Sequence, residues 1–395
     1  MKEKIFDYII ITVSNKKQKE CIHEKIIDRI KKNLIPAETA YRIIIEKEKI
    51  GSGGAIFNLI RYFETMDKNI FKEKKVLLIN SAGDSKRMIL YADSGKICTP
   101  TFEKKYNTIH TIIFDEIITG TELIGREMLP GLLVVSGDCI TRFNNFPCSQ
   151  IKNNTAISVK ANIEVGENHG VFVEENGLLF EALQKNTEQE LRNKKAVDEN
   201  ENVNLDTGII YLNADTMEKL RKIITTEDIL DEEKFLKMAN SQVRSNFYTD
   251  FIYPLSQKST FDAYLKQKAE IEMNPNIIHA RKQIWNALKG EYLEIQTVND
   301  GKFIHYGTIK EFLDRAFEIM KKDNIILNSK ISSDSKISKK CYIENSVIEK
   351  SNISENSIIL NSEIFNQNIP KDLILKTIKL EDHQYITIIL GIGHI

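Results

Sequence analysis

Isoleucine recurs at a short, nearly fixed interval toward the C-terminus. Ile325, Ile331, Ile337 and Ile343 are six residues apart, and Ile348, Ile353, Ile358 and Ile364 follow at five or six. Ser, Asn, Asp and Lys fill the gaps. An amphipathic helix needs apolar residues at i+3 and i+4, which this pattern does not supply. One aliphatic side chain per short rung fills the axis of a β-solenoid, with polar residues at its turns. The interval therefore predicts a parallel β-helix over residues 323–395. A disordered Ser/Asn-rich tail would have no reason to place isoleucine so regularly.

Upstream, the apolar run Val76-Leu-Leu-Ile79 feeds directly into Asn80-Ser-Ala-Gly-Asp-Ser-Lys-Arg87, and Ser94-Gly-Lys-Ile-Cys-Thr-Pro100 follows. A buried strand thus enters a small-residue loop that carries Arg87 and Lys96. Backbone N–H groups in such a loop can wrap phosphate oxygens while the cations neutralise charge. This points to a nucleotide-handling enzyme, although the loop alone fits an ordinary strand–helix turn equally well. Three features add weight. Ser136-Gly-Asp138 ends an apolar strand, where a carboxylate can hold Mg²⁺ between two phosphates. Gly51-Ser-Gly-Gly54 opens a helical pattern, so free N–H groups and the helix dipole face outward there. No Gly-Lys-Ser/Thr follows, so this is not a Walker A loop. Asn246-Phe-Tyr-Thr-Asp250 offers an acid that is either a second metal ligand or part of a helix N-cap.

Asp7-Tyr-Ile-Ile-Ile-Thr-Val13 reads as a buried strand, residues 16–33 as a charged helix, and 109–114 and 132–138 as further strands. Strands alternating with helices predict an α/β domain with a mainly parallel sheet and ligands beyond the strand C-termini. Residues 156–180 resemble short strands around a turn, residues 206–211 another strand, and 215–241 and 259–290 helices. The expected division is an α/β domain over 1–290, a helical connector over 291–322 and the β-helix beyond.

The 395 residues carry Lys+Arg 55 against Asp+Glu 56, a net charge of −1 that argues against nucleic acid as a partner. Lys16-Lys17 and Lys31-Lys32 fit solvated helix faces. The five cysteines, Cys21, Cys98, Cys139, Cys148 and Cys341, form no CxxC pair and no Cys/His ligand spacing. That scatter argues against a disulfide framework or a zinc site and fits a reducing cytoplasm. No apolar signal core or membrane-length run is present.

Taken in order, these motifs resemble the L-fucokinase/GDP-fucose pyrophosphorylase family, specifically its guanylyltransferase domain. The resemblance runs through Asp7 to Ser14, Gly51 to Ala55, Asn80 to Arg87 with Ser94-Gly-Lys96, and Gly137-Asp138. It continues through His169-Gly-Val-Phe172, Gln184-Lys185, Asp206-Thr-Gly208 and Tyr248-Thr-Asp250. The β-helix extends it nearly to the end. Ala82 and Thr249 stand where the family has glycine, Lys86 where it has arginine, Met88-Ile89 where it has Leu-Pro, and Asn186 where it has proline. Bifunctional members add a sugar kinase domain, and none is expected within this chain. The resemblance implies a Rossmann-like nucleotidyltransferase of GT-A type, with a mixed, mainly parallel sheet, followed by the parallel β-helix.

The implied reaction joins a nucleoside triphosphate, GTP by resemblance, to fucose-1-phosphate or a related sugar-1-phosphate, with release of pyrophosphate. Arg87 would hold the leaving β/γ-phosphates and Lys96 the α-phosphate. Gly51, Ser52, Gly53, Gly54, Gly83, Asp84 and Ser85 would bind the nucleotide. Lys185, Asp206, Thr207 and Gly208 would bind the sugar phosphate, and Asp138 and Asp250 would hold Mg²⁺. Assembly into a homo-oligomer through the β-helix is a further expectation. An acyltransferase reading of the repeat would need a histidine within the rungs, and residues 325–366 contain none. A non-catalytic nucleotide-sugar sensor is the remaining alternative.

Overall fold

The structure, a computed structural model, describes residues 2–83, 87–105, 109–147, 150–380 and 384–394. The chain forms two compact units, residues 1–84 with 114–305 and residues 85–113 with 306–395.

The first unit is built on one nine-stranded sheet. Its strand order is Ala40–Ile45, Tyr8–Val13, Lys75–Asn80, Gly131–Ser136, Asn202–Asn213, Thr155–Asn162, Glu294–Val298, Leu178–Gln184 and Gly170–Glu175. The first four strands run parallel. They are β-branched and aliphatic, and Tyr8–Val13 and Lys75–Asn80 are buried almost throughout, as strands covered on both faces must be. The helix Lys16–Lys31 and the helix Gly51–Glu64 make two of the crossovers. The Asn15 side chain caps the first by accepting from the Gln18 N–H. The second buries Ile56, Phe57, Ile60 and Phe63 in the largest apolar core.

The other half of the sheet departs from the expected mainly parallel pattern. Asn202–Asn213 runs antiparallel to both its neighbours, Gly131–Ser136 and Thr155–Asn162. Gly170–Glu175 and Leu178–Gln184 form a tight hairpin. Asn176 and Gly177 both have positive φ there, 54° and 78°. Two consecutive left-handed residues match a primed turn, whose twist suits a hairpin. The sheet is mixed, as expected, but its parallel pairs do not predominate.

The domain boundaries also change. Residues 291–322 are not a helical connector: Glu294–Val298 pairs in parallel with Thr155–Asn162 inside the sheet. Lys302–His305 pairs antiparallel with Cys139–Arg142, and only Ile309–Met320 is helical. The expected strand at 109–114 is shorter, Ile109–Ile112, and forms a hairpin with Pro100–Lys105 in the second unit. The expected helix at 215–241 breaks into Ala214–Ile223 and Glu232–Met238 around a small hairpin.

In the second unit the isoleucine interval becomes three short sheets whose pairing is parallel up to Lys379; Tyr385–Gly391 then adds antiparallel to Leu373–Lys379, so the parallel coil expected over 323–395 stops there. One joins Ile325–Leu327, Tyr342–Glu344, Ile358–Leu360 and Leu373–Lys379. The second joins Lys330–Ile331, Val347–Glu349 and Glu363–Phe365, and the third Lys336–Ile337, Asn352–Ile353 and Asn368–Ile369. Ile343, Ile348, Ile353, Ile359 and Ile364, drawn from all three sheets, share one buried core. Asn328, Asn345 and Asn361 all take left-handed φ, a conformation asparagine tolerates better than most residues. Their side chains hydrogen-bond in series, Asn328 to Asn345 at 2.7 Å and Asn345 to Asn361 at 3.1 Å. The helix Ile309–Met320 packs Phe312, Leu313 and Ala316 with Phe102, Tyr342 and Ile358. Among the described residues, no helix is long and apolar enough to cross a membrane.

Candidate active site

A cavity of about 550 Å³ opens in the first unit, lined by residues that include Ser136, Asp138, Lys185, Asp206, Gly208 and Tyr248. Asp138 reaches it from the turn after Gly131–Ser136, the C-terminal end of a parallel strand, where α/β sheets bind ligands. The Ser136 hydroxyl donates to Asp138 Oδ1 at 2.6 Å. His305 Nε2 lies 3.9 Å from Asp138 Oδ2. The turn needs Gly137, because a Cβ there would sit 2.8 Å from the Asn80 carbonyl oxygen.

Asp206-Thr-Gly208 is a β-bulge. Asp206 opposes Ser158 and Ile209 opposes Ile157, so the pairing skips Thr207 and Gly208. Gly208 has φ +71°, and its N–H donates to Asp206 Oδ1 at 2.8 Å. The bulge breaks the strand's regular alternation, as bulges beside functional sites commonly do. Tyr248 closes over it, its hydroxyl donating to the Gly208 carbonyl at 3.0 Å. The Thr207 hydroxyl donates to the Ile157 carbonyl at 2.6 Å, so that side chain serves the sheet.

Burial pushes the Asp206 carboxyl up to about 6, against the lowering effect of the Gly208 N–H. The native carboxyl therefore keeps its proton to a higher pH than the unfolded chain, whose carboxyl titrates near 3.8. Between these values the native state binds more protons, so its stability falls as pH rises through that window and remains lower above it. Asp206→Asn should flatten this part of the decline. Thermal melts of both proteins from about pH 4 to 8 read the difference, and parallel curves would remove the assignment.

Lys185 lines the cavity at the end of the hairpin, with left-handed φ 52°. Its N–H donates to the His169 carbonyl at 3.2 Å. The sequence reading did not place His169, Cys139, Phe303 and His305 in the site, yet all four line the cavity. His169 makes edge-on ring contacts with Phe303 and His305, centroids 5.3 and 5.5 Å apart. His169 stood in a quoted motif and could have been nominated. His305 lies on a strand read as helical connector, so no local signal marked it.

Other expected site residues lie elsewhere. None of Gly51, Ser52, Gly53 and Gly54 lines the cavity. Their small size serves packing against the segment 244–251. Gly51 has φ +76°, and a Cβ there would fall 2.3 Å from the Ser245 carbonyl oxygen. A Cβ on Gly53 would fall 2.6 Å from the Phe251 ring. The Gly53 N–H already donates to Ser245 O at 2.8 Å, and Ser52 Oγ accepts from the Phe247 N–H. The glycine cluster thus holds the chain that presents Asn246 and Tyr248.

Asp250 is corrected as well. Its carboxylate is buried and accepts from Arg281 Nε at 2.9 Å and from the Asn246 N–H at 2.7 Å. It does not line the cavity. Of the expected loop, Gly83 donates its N–H to Ser14 Oγ at 2.8 Å, while the Ser81 and Ala82 N–H groups share Thr12 Oγ1. Asp84 and Ser85 lie outside the described residues. Arg87 and Lys96 fall in the second unit. Arg87 is exposed, with its carbonyl accepting from the Ile309 N–H, and Lys96 begins a short 3₁₀ turn.

Residues 68–394 match the model of the fucose pyrophosphorylase domain. The chain belongs to the fucose pyrophosphorylase family. It is 24% identical over 339 residues to a fucose-1-phosphate guanylyltransferase from Mus musculus, covering 78% of this chain and 56% of that protein. The Homo sapiens counterpart is 22% identical, with coverages of 78% and 54%. A bifunctional fucokinase/GDP-fucose pyrophosphorylase from Arabidopsis thaliana is also 22% identical, covering 78% of this chain and 31% of that protein. The chain thus spans about half the length of the two mammalian relatives. Among solved structures, HddC from Yersinia pseudotuberculosis complexed with GMP-PN aligns with 78% of this chain and 97% of its own, at 11% identity and a TM-score of 0.32. A likeness that weak adds nothing to the assignment.

In this family member the donor set at Asp138 suits Mg²⁺ in part. Mg²⁺ is commonly held by one or two carboxylates, its remaining positions filled by substrate phosphates and water. Asp138 offers one such carboxylate at the cavity, whereas Asp250 is bound to Arg281. Nearby, both side-chain polar atoms of Asn80 and the Ser81 hydroxyl are buried with no hydrogen-bond partner among the described residues. Asn80 sits directly opposite Ser136 in the sheet. Unpaired polar groups cost free energy unless something answers them, and a polar ligand over the strand ends would do so.

Proposed function

We propose that this chain is a sugar-1-phosphate guanylyltransferase that joins fucose-1-phosphate, or a closely related sugar-1-phosphate, to GTP and releases pyrophosphate. The observation that carries the reading is the family match over residues 68–394 together with a cavity lined by the motif residues Asp138, Lys185, Asp206 and Gly208. The mammalian relatives' name supplies the substrate pair.

The sugar phosphate oxygen attacks the α-phosphorus in line, and the protein's task is positioning and charge neutralisation. Lys185 clamps the sugar phosphate. Asp206, its charge disfavoured by burial, orients a sugar hydroxyl, and the Gly208 bulge keeps the backbone close to the sugar. Mg²⁺ on Asp138 would neutralise charge on the nucleotide phosphates. Arg87, Lys96 and the loop at Gly83 carry their phosphate-binding roles from the sequence motif alone. The parallel pairing of the strands up to Lys379 in three sheets and their shared isoleucine core support reading residues 323–379 as a parallel β-helix.

The test is pyrophosphate release and nucleotide-sugar formation from the purified chain with Mg²⁺, across a panel of nucleoside triphosphates and sugar-1-phosphates. GTP with fucose-1-phosphate should give the highest kcat/KM. Thermal stabilisation by GDP-fucose with no turnover for any pair would replace the enzyme by a nucleotide-sugar sensor.

A further inference from the structure

We propose that Asp138, Cys139 and His305 form a binding site for a thiophilic divalent metal ion of the zinc class. One carboxylate oxygen, the Cys139 sulfur and one His305 nitrogen all lie within 4.8 Å of one another. Cys139 Sγ is 3.7 Å from Asp138 Oδ1, and His305 Nε2 is 3.9 Å from Asp138 Oδ2. In a tetrahedral zinc shell, with Zn–S about 2.3 Å and Zn–N and Zn–O about 2.0–2.1 Å, neighbouring donors stand roughly 3.3–3.6 Å apart. The two carboxylate contacts lie within about half an ångström of that range, and the three donors, all within 4.8 Å of one another, need to close by no more than about 1.5 Å at their widest pair.

The donor types decide the metal. Mg²⁺ prefers an all-oxygen octahedron, whereas one sulfur, one nitrogen and one oxygen suit zinc and its neighbours. Three protein ligands leave a fourth position, and all three residues line the cavity, so that position can take water or a substrate oxygen. The set is held by fold rather than by chance proximity. Cys139 and His305 are directly paired partners in the antiparallel ladder of Cys139–Arg142 with Lys302–His305. The His169 ring packs edge-on against His305 and restrains its orientation. The scattered cysteines argue against zinc at the level of sequence because no Cys/His ligand spacing is present. The strand pairing brings together residues 166 positions apart, which no local motif reports.

On binding, the Cys139 thiol proton passes to solvent and the thiolate bonds the metal. Asp138 is common to this site and to the Mg²⁺ position proposed above, so the two metals exclude one another and zinc inhibits. The metal site itself goes beyond the transferase reading and does not depend on it.

The test is titration of the full chain, free of affinity-tag histidines and stripped of metal, with Co²⁺ alone. The expected result is saturable binding with intense tetrahedral d–d bands in the visible and a thiolate-to-cobalt band in the near ultraviolet, both bleached by Zn²⁺. Cys139→Ser should remove the near-ultraviolet band. His305→Gln should weaken binding by on the order of 100-fold or more, since loss of supporting contacts alone costs 10–100-fold. A weak octahedral spectrum in the unsubstituted protein would overturn the proposal without recourse to variants. So would a thiolate band that persists in folded Cys139→Ser, because the sulfur would then belong to another cysteine.

Discussion

Asp250→Ala should destabilise the protein by roughly 3–5 kcal/mol, the cost of breaking a buried ion pair by removing one partner. Arg281 is 1% exposed, among the most buried large side chains described. Its Nε donates to Asp250 Oδ1 at 2.9 Å, and Nη1 reaches the carbonyls of Gln267, Tyr264 and Leu265 at 2.8, 3.2 and 3.3 Å. The Tyr264 hydroxyl in turn donates to the Asp250 carbonyl at 2.7 Å. Removing the carboxylate strands the guanidinium charge in a low-dielectric interior and frees the Asn246 N–H. Asp250→Leu with Arg281→Met, which deletes both charges, should recover much of the loss. Chemical denaturation of the three proteins measures this directly. A metal-ligand role for Asp250 predicts the opposite pattern, with stability retained and Mg²⁺ dependence altered. Because Asn246 and Tyr248 line the cavity on the same short segment, the single variant should also lose activity indirectly.

Asp138→Asn should lower kcat for nucleotide-sugar formation by on the order of 10²–10³ or more, the range found when one group stabilising transition-state charge is removed. The amide oxygen can still accept from Ser136, so the turn and the melting temperature should be preserved. What disappears is the negative charge that Mg²⁺ would meet at the cavity. Raising Mg²⁺ should restore only part of the rate. Steady-state kinetics at several Mg²⁺ concentrations, with melting curves alongside, separate this from misfolding. Turnover close to that of the unsubstituted protein would take Asp138 out of the reaction.

The two acids were assigned the same role from sequence, and their fates show what local reading can reach. Asp138 follows an aliphatic strand, and the end of a parallel strand faces a ligand crevice whatever the rest of the chain does. Asp250 sits among Phe247, Tyr248 and Phe251, and whether such an acid points into a cavity depends on what packs behind it. That partner, Arg281, comes from the helix Pro275–Leu288, whose own sequence gave no hint of the pairing. The glycines at 51–54 carry the same lesson. Glycine reports that something approaches the backbone closely, and at Gly51 and Gly53 the Ser245 carbonyl and the Phe251 ring do so.

Periodicity by itself marked the short strands and their isoleucine core, because a short rung admits one apolar residue and repeats it; that they pair into three sheets came from the structure. Chain order by itself likewise determined the parallel half of the sheet and the approach of Asp138 to its edge. Only the tertiary structure decided the antiparallel half, the division that sends residues 85–113 to the second unit, and the meeting of Cys139 with His305. These depend on pairings such as Asn202 with Asn162, 40 residues apart, and His305 with Cys139, 166 residues apart. Their free energy lies in contacts between distant segments, and no local window of sequence contains both partners.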